Sequence, residues 1–198
     1  MSRRSRWEAV FAADPDPWRF RTSPYERDKA SDALSMLAPR YGRAVEVGCA
    51  NGAFTARLAS HCDRLLALDL AESALAEARR MVQDPVVTFI RAEMPRGWRA
   101  TVAPPMDLIV LSEVLYYLSA PELDAMAAHA ARDLAPHGQV LLVNWLGPTG
   151  EALDGEAAAT RFLAAFAECR PMSVETHRRE GYRMDLLVAE PRPARGRS

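Results

Sequence analysis

The chain has 198 residues, of which 49% are hydrophobic and 26% charged, with a formal net charge of −1. This is the size and composition of one soluble globular domain with a full core. Near-neutral charge excludes a general pull toward nucleic acid or an anionic membrane, no apolar run approaches the ~18 residues of a membrane span, and the basic N-terminus lacks the apolar stretch of a signal peptide.

The first ~40 residues carry no strand pattern. Asp14 to Phe20 is turn-rich, with two prolines and two aromatics. A helix is expected near Tyr25–Ala38, ended by Pro39 and Gly42. Strand–helix alternation then begins. Strands are expected at Arg43–Gly48, Arg64–Asp69, Val86–Arg91, Asp107–Leu111 and Gln139–Trp145. Helices are expected at Phe54–Ser60, Ala71–Val82 and from Ser119, whose Ser-Ala-Pro-Glu reads as a capping box, to Leu134. Pro136 to Gly138 breaks that helix. A further helix at Ala157–Ala167 precedes two closing strands, Met172–His177 and Tyr182–Ala189. Near-continuously apolar strands alternating with helices imply a buried parallel sheet. The expected fold is α/β, a Rossmann-like doubly wound sheet with an antiparallel C-terminal edge hairpin. Residues 1–40 are expected as an N-terminal lid/helical segment, 41–190 as the domain, and 191–198 as a disordered tail rich in Pro, Arg and Gly.

The turn after the first strand carries the chemistry. Residues 45–52 read Val-Glu-Val-Gly-Cys-Ala-Asn-Gly, and Asp69 closes the next strand. Glycines let a backbone approach a nucleoside, and a carboxylate at that strand end accepts hydrogen bonds from a ribose diol. The small residues Gly48, Ala50 and Gly52 do not follow the dinucleotide G-x-G-x-x-G spacing. Glu46, two positions before the first glycine, would repel a pyrophosphate and suits a cationic ligand. The segment resembles the E-x-G-x-G-x-G motif of Rossmann-like S-adenosylmethionine-dependent methyltransferases, with Ala50 in place of the middle glycine. Cys49 reads as a small residue fitting a tight turn.

Sites in open α/β sheets lie beyond the carboxyl ends of the strands. That rule gathers Gly48 to Gly52, Asp69 with Leu70, Glu93 with Met94, Ser112 with Glu113, and Asn144 with Trp145. Asp69 also reads as a helix N-cap. Glu93 is placed for the adenine amino group, and Glu46 for the methionine amino group or as a partner of Arg43. Glu113, Tyr116 and Tyr117 follow the fourth strand, where a methyl acceptor would meet the sulfonium. Glu113 is the candidate base, with either tyrosine orienting the nucleophile. Trp18, Tyr25 and Glu26 would fold over the cofactor as a lid. None of the four histidines is placed as a general base, and no two are spaced as a metal pair. No G-x-S-x-G elbow is present. The three cysteines lack C-x-x-C spacing, which points to a reducing cytoplasm.

Asp16-Pro-Trp18, Tyr25-Glu26, Glu46-Val-Gly-Cys49, Asp69, Ser112-Glu113-Val-Leu-Tyr-Tyr-Leu118 and Asn144-Trp145 together resemble the nodulation protein NodS-like methyltransferases. The likeness runs from about Trp18 to about Leu187. The resemblance implies S-adenosylmethionine as cofactor, S-adenosylhomocysteine as product, no metal, and N-methylation of the free amine of a deacetylated chitooligosaccharide or another small amine. A monomer or weak homodimer is expected, with no nucleic-acid or membrane partner. In the family a His often follows a Gly-Asp pair after the fifth strand. Here Gly155-Glu156 is followed by Ala157-Ala-Ala159, a departure that bears on the acceptor. Competing readings are an O- or N-methyltransferase of unrelated secondary metabolism, a non-catalytic cofactor-binding module, and a nicotinamide dehydrogenase, which the glycine spacing disfavours.

Overall fold

Strands β1 (Tyr41–Val47), β2 (Cys62–Asp69), β3 (Val87–Arg91), β4 (Met106–Ser112), β5 (Leu134–Trp145), β6 (Met172–Arg178) and β7 (Tyr182–Ala189) form one sheet in this computed structural model, which describes residues 2–190. Their order is β3-β2-β1-β4-β5-β7-β6. The first five run parallel, and β7 is antiparallel to both β5 and β6. The chain reverses direction across the sheet between β1 and β4, which sets a crevice at their carboxyl ends. The expected tail at 191–198 lies outside the described residues. No helix among those residues is long and apolar enough to cross a membrane.

The helices are α1 (Arg3–Ala13), α2 (Pro24–Ser35), α3 (Ala53–Leu58), α4 (Glu72–Met81), α5 (Trp98–Thr101), α6 (Ala120–Asp133) and α7 (Gly155–Cys169). Their starts are written locally. Ser119 and Glu122 form the expected capping box of α6. Asp154 caps α7 through Ala157 N–H, and Ser23 caps α2 with Pro24 just inside. Both faces of the sheet are covered. Val45, Val47, Ile109 and Leu111 pack with Leu123, Met126 and Phe162 on the α6–α7 side. Leu65, Leu108, Val110 and Leu141 pack with Ala33 and Leu58 on the α2–α3 side.

Two helices add to the expected set, and two expectations need correction. Residues 3–13, expected only as part of a lid/helical segment without strand pattern, form α1, whose buried residues are Trp7 and Phe11. Residues 98–101 form a further one-turn helix around the buried Trp98. β5 begins at Leu134 rather than Gln139: it passes Pro136–Gly138 as an irregularity, with His137 at φ 58 and a register shift against β4. β3 is not a continuously buried strand, because it lies at the sheet edge with its residues half-buried or exposed.

Candidate active site

Gly48 leaves β1 at φ 80, and a β-carbon built there would come 2.2 Å from Val114 Cγ1. Only glycine fits both the left-handed backbone and that approach. Ala50 sits in the same left-handed region at φ 48, a conformation that costs an L-residue about 1 kcal/mol. Gly52 caps α3 at φ 81 and packs against Ala78 of α4. It is not among the residues lining the three cavities described below, although its neighbours Asn51 and Ala53 line one of them. Its role is close helix packing.

Asp69 ties this turn to the next element. Its Oδ2 accepts from Ala50 N–H at 3.0 Å and its Oδ1 from Ala71 N–H at 2.9 Å. Burial pushes its carboxyl up, against the pull of those amides. The Leu70 amide acts on the same carboxylate, so the turn itself takes up much of its accepting capacity. Glu46, fully buried, accepts from Thr55 Oγ1 at 2.7 Å. Burial pushes its carboxyl up to about 7. The alternative pairing with Arg43 is not formed: one Arg43 guanidinium nitrogen donates to Ala103 carbonyl oxygen at 2.6 Å. Cys49 is buried, and its thiol is pushed well above its ordinary value by that burial and by Asp69 and Glu46. It is an inert spacer in the turn.

The fourth strand ends in a second constellation. Glu113 has φ 56. Its Oε1 lies 2.8 Å from Lys29 Nζ, while Oε2 accepts from Tyr116 Oη at 2.6 Å and from Trp145 N–H at 3.0 Å. Burial, then the Glu113 charge, pushes the Tyr116 phenol far up, so it acts as a donor. Lys29 is 7% exposed. Burial pulls its pKa down, but Glu113 and Glu26 more than offset this, and the ammonium is held charged. Sequence reasoning missed Lys29, because a lysine on a surface helix reads as solvated.

These groups surround two adjoining cavities of about 610 and 330 Å³. Gly48, Ala50, Ser112, Glu113 and Glu26 line both. The larger also takes Asp69, Leu70, Tyr116, Tyr117 and Trp145, and is roofed by Trp18 and Tyr25. The smaller takes Glu46 and Cys49. A third space of about 60 Å³ lies between Asp69, Leu70, Glu93 and Met94 under Trp7. Asn144 is not brought to these cavities. It is fully buried beneath α7, its Cβ facing Gly155, and neither carboxamide atom finds a partner among the described residues.

The N-terminal segment makes the roof. Trp7, Phe11 and Phe20 pack around Trp18, and Trp7 meets Tyr117 edge-on at 4.7 Å. Polar contacts pin it at several points. Glu8 accepts from Glu72 and Ser73 N–H at the start of α4, and Asn51 in the glycine turn donates to Pro15 carbonyl oxygen and Asp16 Oδ1. Tyr25 Oη donates to Gly181 carbonyl oxygen at 3.2 Å. The Asp-Pro-Trp motif is therefore built to fasten the roof to the glycine turn.

The profile of the family described as Nodulation protein S (NodS) matches residues 8–144. Nodulation protein S of Rhizobium tropici is 37% identical over 134 residues, covering 66% of this chain and 55% of that protein. That of Sinorhizobium fredii is 34% identical over 148 residues, covering 73% and 62%. The chain thus spans little more than half the length of these relatives. Among solved structures, the N-methyltransferase NodS from Bradyrhizobium japonicum WM9, in complex with S-adenosylhomocysteine, superposes with a TM-score of 0.79. The two are 24% identical, over 94% of this chain and 98% of that one.

Proposed function

The chain belongs to the nodulation protein S family, and from that premise we propose that it is an S-adenosylmethionine-dependent methyltransferase acting on the amine of an amino sugar, a chitooligosaccharide or a similar small acceptor. The observation that carries the reading is the meeting of Asp69, Gly48 and Glu113 around one cavity of about 610 Å³ at the carboxyl ends of β2, β1 and β4. The residues fit the cofactor. Asp69 borders the larger cavity at the end of β2, where a ribose diol would meet its carboxylate, and Gly48 leaves room for a close backbone approach. Glu93 would meet the adenine amino group, with Leu70 and Met94 flanking the ring. Glu46 would serve the methionine amino group, through water if needed.

When bound, the cofactor supplies an electrophilic methyl group on a sulfonium. Displacement at such a carbon needs alignment and exclusion of water more than covalent help. Trp7, Trp18 and Tyr117 exclude water. Glu113, fixed by Lys29, Tyr116 and the Trp145 amide, keeps a lone pair on Oε1 to orient an acceptor N–H. Trp18 and Trp145, both exposed by about two fifths (42% and 38%), give flat faces for a sugar ring. The three cysteines are unpaired, which supports a reducing, cytoplasmic setting for a monomer or weak homodimer.

The test is calorimetric titration with S-adenosylmethionine and S-adenosylhomocysteine, followed by mass spectrometry of reactions containing deacetylated chitooligosaccharides. Cofactor binding and a 14 Da gain on the acceptor are expected. Absence of cofactor binding would overturn the reading. Binding with no transfer to any amine would favour a sensing module.

A further inference from the structure

Two carboxylates at the junction of the cavities share one lysine and differ in what else they hold. Glu113 receives three donors: Lys29 Nζ, Tyr116 Oη and Trp145 N–H. The Glu26 carboxylate is met by Lys29 at 3.1 Å on Oε1 and 3.0 Å on Oε2. Among the described residues no other hydrogen-bond donor reaches it. Both side chains border both cavities. A carboxylate ringed by donors has little lone-pair density left for a proton, whereas one with open positions in a partly buried site is the better acceptor.

Resting on the amine reading above, we propose that Glu26, not Glu113, takes the proton that the acceptor nitrogen must lose, and that Glu113 only orients that nitrogen. The acceptor ammonium first passes one N–H proton to a Glu26 oxygen, which frees the nitrogen lone pair. That lone pair forms the N–C bond as the S–C bond breaks, and sulfur keeps the electron pair. Lys29 stays charged throughout and remains paired with Glu113 when Glu26 is neutral.

The surroundings suit that task. Tyr25 and Lys29 act on Glu26 from α2, Asp16 from the turn before it and Glu113 from just past β4, while Arg21, Arg27, Arg57 and Glu46 line the same smaller cavity. Burial raises the Glu26 carboxyl above its ordinary value despite Lys29, and Glu113 and Asp16 add to the rise. Its position is also fixed: Ser23 caps α2 through the Glu26 amide, and Lys29 lies one helical turn on.

The experiment compares wild type, Glu26→Gln, Glu26→Asp and Glu113→Gln with S-adenosylmethionine and fully deacetylated chitotetraose, measuring kcat against pH and S-adenosylhomocysteine affinity. Glu26→Gln is expected to lower kcat by about 100-fold or more and to flatten its fall at acid pH. Cofactor affinity should stay within roughly threefold of wild type. Glu26→Asp should recover part of the rate, and Glu113→Gln should act chiefly on KM. A Glu26→Gln protein that keeps kcat within about threefold, or keeps the wild-type acid limb, overturns the assignment. If wild type itself methylates neither chitotetraose nor other amines, the amine reading falls and takes this assignment with it. If wild type and Glu26→Gln both turn over, the assignment alone falls.

Discussion

The carboxylate of Glu8 sits on the amide of Glu72, at 2.8 Å, and its second oxygen takes Ser73 N–H at 3.0 Å. One helix thus supplies the cap of another, 64 residues away, and α4 begins without a capping side chain of its own. The orphan amides and the positive end of the α4 dipole favour this carboxylate. Burial pushes its pKa up, but the Glu72 and Ser73 amides, the Ser73 hydroxyl and the charge of Arg91 hold it below the ordinary value. Glu8→Ala should cost about 1 kcal/mol and loosen α1. Hydrogen exchange at residues 3–13 and 72–75 is the measurement. Exchange equal to wild type in both segments would show that Glu8 fastens nothing.

On the proposed reading, Asp69→Ala removes a partner for two ribose hydroxyls, each worth roughly 1.5 kcal/mol or more. S-adenosylhomocysteine should bind about 100-fold more weakly by calorimetry. Because Ala50 and Ala71 lose an acceptor too, the melting point should fall as well. Binding at wild-type strength would remove Asp69 from the site.

Gly48→Ala sets a β-carbon against Val114 Cγ1 on a backbone at φ 80. It should destabilise the protein and displace the segment that carries Glu113. Adding Val114→Ala should relieve the contact but not the backbone strain, restoring part of the stability. Ala50→Gly acts in the opposite sense. Relief of the left-handed strain at φ 48 outweighs the added chain entropy, for a gain between zero and about 1 kcal/mol. Urea midpoints of the three variants decide both cases.

Glu46 makes stability depend on pH. Its folded carboxyl stands at about 7 against 4.5, so in that interval the folded chain binds more protons than the unfolded one. Stability must therefore fall as pH rises from about 4.5 to 7 and level off above. The full span is about 3 kcal/mol as an order of magnitude. Glu46→Gln should match wild type near pH 4 and exceed it near pH 8, measured without cofactor. A constant difference across that range would place the Glu46 titration elsewhere.

Much of this site was legible because parallel strands expose their carboxyl ends to the crevice. Asp69, Ser112, Glu113 and Trp145 could be placed there from strand boundaries alone. The same rule misplaced Asn144, because alternation along β5 turns it to the α7 side while Val143 and Trp145 face the cavities. α1 was hidden because Trp7 and Phe11 roof a cavity rather than form a stripe against the main core. Lys29 was hidden because its burial depends on two carboxylates, one of them 84 residues away.

Trp145 performs two separable tasks. Its indole faces the cavity, while its main-chain amide holds Glu113. The amide is present whatever residue, proline apart, occupies the position. The side chain can therefore vary without removing this hydrogen bond to Glu113. Position 145 gives this scaffold a way to reshape the wall of the larger cavity while the Glu113 carboxylate stays in place.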